Sequence, residues 1–276
     1  MSDSEVFVLL LSISLTVFYL VVWFKPLLKI WPQSRIGFAS KCFLFLPIIS
    51  LIIYIYTLSN LASYDVVDSS LYKMFYLFMG YGWIYISMVL VSRLLDLSWK
   101  DDILYLANKS SVPAISGAYI AVSLIYAGAN IGDGPGWWCV IIAGGIGLVI
   151  FFIFSSIFHK FTGIIEKVTI DRDKSASIRL GMYFIASGII LARASGGDWI
   201  SLDQTIIDFW VSWPLVLLTI LAIVFEKSFK IKEIKSNKIS FLIGLLYIAF
   251  AVASLFYHLV LPQNPAYDLM QEGVFL

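Results

Sequence analysis

Long apolar runs broken by short polar stretches dominate the chain. Eight such segments stand out, at approximately 5–24, 42–62, 71–94, 112–130, 137–158, 177–194, 205–226 and 239–261. About 20 mostly apolar residues in helical form cross the hydrocarbon core of a bilayer. The sixth segment is the shortest, and its end depends on how Arg193 is accommodated. Lipid offers no partner for backbone N–H and C=O groups, so each run must close its own hydrogen bonds as a helix rather than stand as an open strand. The pattern predicts an all-α, polytopic transmembrane helix bundle of about eight spans, a single integral membrane domain over residues 1–276.

Composition excludes the soluble alternative. Hydrophobic residues make up 60% and charged residues only 13%, about half the charge that an ordinary soluble domain needs for its surface. The first apolar run follows Asp3 and Glu5 rather than Lys or Arg, and no small-residue cleavage site ends it. A secretory leader has the opposite signs, so this run reads as a retained span. Cys42 and Cys139 fall near opposite membrane faces. A disulfide needs Cα atoms within about 7 Å, so the two should stay unpaired.

Charge then orients the bundle. Of the 19 Lys and Arg residues, all but Lys73 and Arg193 lie in or beside the connections around 25–41, 93–111, 159–179 and 226–238. Basic connections stay in the cytoplasm, which sends both termini and the alternate loops to the other side. Those outer segments carry Asp3, Glu5, Asp65, Asp68, Asp133, Asp198, Asp203, Asp268 and Glu272.

Internal similarity recurs at about 64 residues. Gly117-Ala118-Tyr119 on the fourth span matches Gly181-Met182-Tyr183 on the sixth; in the same register Ser123 meets Ser187, Ile125 meets Ile189 and Gly132 meets Gly196. Each of these spans leads into a Gly-Asp-aromatic turn, Gly132-Asp133-Gly134-Pro135-Gly136-Trp137 in one and Gly196-Gly197-Asp198-Trp199 in the other. The repeat units run approximately 40–108, 109–173 and 174–238, the first a decayed copy with Tyr64-Asp65 in its turn and Arg93 at its close. Spans 5–24 and 239–261 flank the set. Each unit holds two spans, so the copies start on one side and are parallel repeats about an axis along the membrane normal, unlike inverted transporter repeats.

The run Asp171-Arg172-Asp173-Lys174-Ser175-Ala176-Ser177-Ile178-Arg179-Leu180-Gly181, leading into a small-residue helix, a Gly-rich turn and an Asp-containing second helix, resembles the tandem two-helix unit of the YjfL-like bacterial membrane proteins, the domain of unknown function 350; Gly117–Trp138 is similar to the same unit. The resemblance covers roughly residues 70–228. It implies a multi-pass protein of the bacterial cytoplasmic (inner) membrane, and it carries over no catalytic residue. The fourth span departs from the pattern, starting from Asn108-Lys109-Ser110-Ser111-Val112-Pro113 without the acidic-basic lead-in.

Candidate chemistry concentrates at the outer ends of the spans. Arg193 near the end of the sixth and Asp208 about one turn into the seventh are charges at membrane depth, which are costly unless paired or hydrated and so often mark a pathway; the alternative is that they pair or snorkel to the interface. Asp133, Asp198 and Asp203 can converge as a cation-concentrating mouth, or serve as turn residues, with Asp203 capping a helix. Trp137, Trp138, Trp199, Trp210 and Trp213 read first as interfacial anchors, and as an aromatic cage in the second instance. Pro214 interrupts the seventh span and frees the carbonyl of Trp210. Gly117, Gly128, Gly132, Gly181 and Gly188 are read as helix-packing positions, since small residues one turn apart let helices approach closely in lipid.

Enzyme signatures are weak. His159 and His258 lie toward opposite faces, Gly132-x-Gly134-x-Gly136 follows no strand, and no nucleophile elbow or zinc-protease helix motif is present. The sequence therefore leads to a non-enzymatic membrane protein with no cofactor or metal and no nucleic-acid partner. Two readings stand: passage of a cation or small solute, or a non-catalytic scaffold or envelope-stress component that binds a membrane protein partner or further copies of itself.

Overall fold

The apolar runs close into helices whose ends are set by local chemistry. A computed structural model describes residues 2–28, 43–232 and 236–260. Its long helices are α1 (Asp3–Leu28), α2 (Leu46–Asn60), α3 (Ser70–Leu94), α4 (Val112–Ala129), α5 (Trp137–Thr162), α6 (Lys174–Ser195), α7 (Pro214–Lys232) and α8 (Asn237–Val260). Asp173 caps α6 by accepting hydrogen bonds from the Ser175 and Ala176 N–H groups. Gly163 ends α5 in the left-handed region, with φ of 62°, a conformation that costs glycine nothing.

Seven segments are long and apolar enough to cross a membrane: α1, α3, α4, α5, α6, α8 and the continuous stretch Leu202–Ser228 that contains most of α7. The eighth, α2, has 15 residues, a length of about 22 Å. It is shorter than the apolar run 42–62 because Phe45 breaks the helix just ahead of Pro47, which sits in its first turn. Of that run, Cys42 lies outside the described residues. The protein is thus a polytopic helix bundle of seven full-length spans and one short apolar helix among the described residues.

The even-numbered helices pack side by side in the order α2, α4, α6, α8 and all run the same way. Register is visible at each contact. Ser50 on α2 meets Tyr119 on α4, and Gly117 on α4 lies against Gly181 on α6. Ser175 and Arg179 on α6 bond Asn237 and Ser240 near the start of α8. The odd-numbered helices run the opposite way, α3 against α2 and α4, α5 against α4 and α6, and α7 against α6 and α8. The centre is α4 and α6: 72% of each spanning window is buried, against 22% in α1 and 28% in α8.

One face of the bundle collects the turns after α2, α4 and α6, and backbone hydrogen bonds join all three. The Gly132 N–H donates to the Leu61 carbonyl, Gly197 N–H to Ile131, and Trp199 N–H to Asp133. The opposite face carries the connections 95–111 and 163–173, the first containing a short π-helix, Trp99–Tyr105. Each even helix carries a fully buried tyrosine at one register position, in turn Tyr54, Tyr119, Tyr183 and Tyr247, with Tyr126 a second on α4; the register spacing is about 64 residues. Trp23, Ser87, Phe151 and Leu215 on the odd helices recur at the same spacing and are fully buried too.

Candidate functional site: a buried tyrosine track between two clefts

Tyrosine inside a bilayer protein is tolerated when its hydroxyl finds a partner. Between α1, α2, α3 and α4 the bundle stores an unusual number of them. The Tyr19 and Tyr119 hydroxyls share a hydrogen bond of 2.9 Å, and Ser50 Oγ joins Tyr119 Oη at 3.2 Å. Tyr81 Oη donates to the Pro47 carbonyl at 2.8 Å, and Tyr126 Oη to the Tyr76 carbonyl at 2.6 Å. Ring contacts close the gaps: Tyr19 to Tyr81 with centroids at 5.9 Å, Tyr81 to Tyr54 at 6.2 Å, and Tyr54 to Tyr126 at 5.1 Å. All are buried, Tyr54, Tyr119 and Tyr126 completely.

Among the described residues the Tyr54 hydroxyl, at the middle of this series, has no hydrogen-bond partner. Ser123 Oγ, which donates to the Tyr119 carbonyl, is its polar neighbour and keeps a lone pair to offer it. Gly80 on α3 makes the arrangement fit. A Cβ there would come within 2.7 Å of both the Tyr54 and the Tyr126 ring, closer than any ordinary contact.

The series joins two clefts. Tyr76 and Asn130 line a cleft at the turn face, together with Asp133, Ser195 and Trp199. Asn130 is itself tied to the track, donating from Nδ2 to the Tyr126 carbonyl. The Ser195 hydroxyl is buried and unpartnered among the described residues. Tyr19 lines a second cleft at the opposite face, between α1, α3 and the π-helix.

The residues singled out from sequence are placed as follows. Asp133 lies exposed at the turn-face cleft, and its N–H donates to Asp198 Oδ1 at 2.8 Å. The Asp198 carboxylate thus closes the double turn. Asp203 is exposed in the first turn of the helix Leu202–Asp208, and the cap there is Ser201, whose hydroxyl accepts from the Gln204 N–H. Asp208 accepts from Gln204 Nε2 on its own helix. Arg193 is exposed and forms no ion pair with Asp208 among the described residues. Gly117, Gly128, Gly132, Gly181 and Gly188 sit where α4 or its turn meets α6 or its turn. The carbonyl of Trp210 is taken up by the Trp213 N–H in a 3₁₀ turn ahead of Pro214.

A second polar cluster escaped the sequence reading. Glu226 on α7 is buried and holds Arg179 of α6 in a two-point pair, Nε to Oε2 at 2.7 Å and Nη2 to Oε1 at 2.9 Å. Lys167 Nζ reaches the same carboxylate at 2.7 Å, and Arg179 Nη1 donates to Ser240 Oγ. This network ties α6, α7, α8 and the 163–173 connection at one face. Arg179 and Glu226 look like interfacial charges in sequence because each sits near the end of an apolar run. Only the meeting of three helices shows that they are enclosed.

Among the described residues no three His, Cys, Asp or Glu side chains gather as a metal ion would need. The fold defines a multi-pass α-helical membrane protein. Compared with protein-family models, curated proteins and solved structures, the chain matches none.

Proposed function

We propose that this protein passes a cation or small solute across a cytoplasmic membrane, along the tyrosine track of α1–α4. The observation that carries the reading is the continuity of buried Tyr19, Tyr119, Tyr81, Tyr54 and Tyr126 from one cleft to the other. Carbonyl and hydroxyl oxygens can replace the hydration shell of a cation, and tyrosine faces attract one. The Ser50, Tyr119 and Tyr54 hydroxyls along the track supply such groups, with Asp133 at the turn-face mouth. The basic connections put the Lys- and Arg-rich face in the cytoplasm and the Asp-bearing turns outside. We read the whole as tandem two-helix units of the kind the YjfL-like resemblance implies, with the tyrosine of every even helix at one register position.

Flux of monovalent cations into proteoliposomes, wild type against Tyr119→Phe and Tyr126→Phe, tests this. Wild-type flux above empty vesicles, reduced in both variants, is expected. Flux lost in Asp208→Asn but kept in the tyrosine variants moves the path to α7, and no flux from folded protein removes the reading.

The second reading, a non-catalytic scaffold acting through partner binding, draws on a separate observation. The bundle centre is filled by α4 and α6 backbone in direct contact at Gly117–Gly181 and Gly128–Ala192, which suits a rigid platform. It predicts a stoichiometric partner on purification in mild detergent, and no flux.

A further inference from the structure

The cleft at the basic face combines two chemistries that rarely share one depression. Its rim holds Arg93, the basic residue of the last turn of α3, and Lys100 in the π-helix. Both side chains are exposed, and neither forms an ion pair among the described residues. Lys100 Nζ sits 5.6 Å from the centroid of the Trp99 ring, and Ser92 adds a hydroxyl to the rim. Below the rim the lining turns apolar, with Val22 from α1 and Met88 and Val89 from α3. Asp101 also lines the cleft, its Oδ2 accepting from the Ser98 hydroxyl at 2.6 Å, so the rim carries two cations against one carboxylate and is left with net positive charge.

Two unpaired cations above an apolar groove, at the end of a membrane-spanning helix, match one kind of molecule. The phosphate of a phospholipid fits the rim, and the upper part of an acyl chain fits the groove. Basic pockets between spanning helices recognise lipid headgroups in this way. We propose that this cleft is a binding site for a phospholipid of the adjacent leaflet, its phosphate on Arg93 and Lys100 and its chain along Val22, Met88 and Val89. Tyr19 lines the same cleft, so the lipid phosphate also offsets the positive rim where the tyrosine track ends. The lipid site stands on its own geometry and does not need solute to move.

The test is retention of dioleoylphosphatidylglycerol by the purified protein in neutral detergent, read by native mass spectrometry. Dioleoylglycerol and inorganic phosphate serve as the two half-ligand probes. Wild type is expected to keep the phospholipid and neither probe. The double variant Arg93→Gln/Lys100→Gln should bind it about tenfold more weakly or worse. The charge-preserving Arg93→Lys/Lys100→Arg should keep it, which separates lost charge from lost fold. Equal retention by wild type and the Gln variant overturns the proposal. So does equal retention of dioleoylglycerol, which would make the site a greasy groove. Displacement of the lipid by inorganic phosphate alone also overturns it, since the rim would then bind soluble anions. Flux through the track is measured on the same preparations, and lipid retention without flux removes the transport reading while leaving this one.

Discussion

At the scale of single residues, the strongest constraint is the carboxylate of Glu226. Removing one partner of a buried ion pair strands the other charge away from water, which typically costs about 3–5 kcal/mol. Glu226→Ala leaves Arg179 enclosed without its two-point carboxylate partner, so thermal unfolding in detergent should show a loss of that order. Glu226→Gln, which can still accept from Arg179, should lose less. Lys167 is only part-buried, and Lys167→Met should lose well under half as much as Glu226→Ala.

Asp102 gives a pH dependence whose sign follows from its surroundings. It lies in the π-helix, outside the spans, and is 6% exposed. Burial pushes its carboxyl above the usual carboxylate value, the Asp101 and Asp96 charges add to the rise, and the Ser98 N–H bonding Oδ2 opposes it. A raised folded-state value means that the protonated form is favoured in the fold. The stabilisation is complete below the ordinary Asp value of 3.8 and is lost as pH rises through the raised folded one. Asp102→Asn should therefore flatten the stability profile across that mildly acidic window and raise stability above it. A variant that keeps the wild-type slope would put the titration elsewhere.

At the scale of elements, the α4–α6 interface is the least forgiving surface. A Cβ at Gly117 would overlap Gly181 backbone, and one at Gly128 would overlap Ala192 backbone. Gly117→Ala therefore requires the two helices to separate, and overpacking of this kind costs about 1–3 kcal/mol. Gly145, on the outer face of α5, has nothing within reach of an added Cβ. Gly145→Ala should be neutral or slightly stabilising, as expected for a helix interior. Thermal unfolding of the two variants, side by side, separates close packing from simple helix propensity. The break ahead of α7 has a milder origin: Pro214 lacks an N–H, and the 3₁₀ turn supplies the Trp213 N–H to the Trp210 carbonyl instead. Pro214→Ala should straighten the segment at little energetic loss.

Across the whole molecule, the three joined turns and the buried ion network hold opposite faces of one bundle. The turns couple α2, α4 and α6 through backbone hydrogen bonds. The network couples α6, α7 and α8 through side chains. Helix α6 belongs to both, so destabilising it by Gly181→Leu should unfold the molecule as a unit rather than shed one end. A single transition in limited proteolysis against temperature is the expected record. Early release of an α7–α8 fragment would show that the ion network is a separate, weaker unit.

The helical class, the positions of the spans within a few residues and the small-residue stripes on the fourth and sixth spans were all legible in the chain. The physical reason is that lipid forces local solutions: each run must satisfy its own backbone, and only glycine or alanine lets two helices touch. The span ends themselves were set by local chemistry that hydropathy alone does not weigh. The Asp173 cap, the left-handed Gly163 and Pro47 in a first turn place them at 174, 162 and 46, against 177, 158 and 42 from the apolar runs. Partners across helices were not legible. Tyr54 and Tyr126 are ordinary aromatic residues until Gly80 brings them together, and Arg179 and Glu226 are ordinary end charges until three helices converge on them. Asp203 looks like a cap, and Ser201 takes the role because its hydroxyl stands three residues ahead of the N–H it serves. A run of residues determines what it must bury. Which hydroxyl, ring or charge it meets there is fixed only when the helices choose their neighbours and their register.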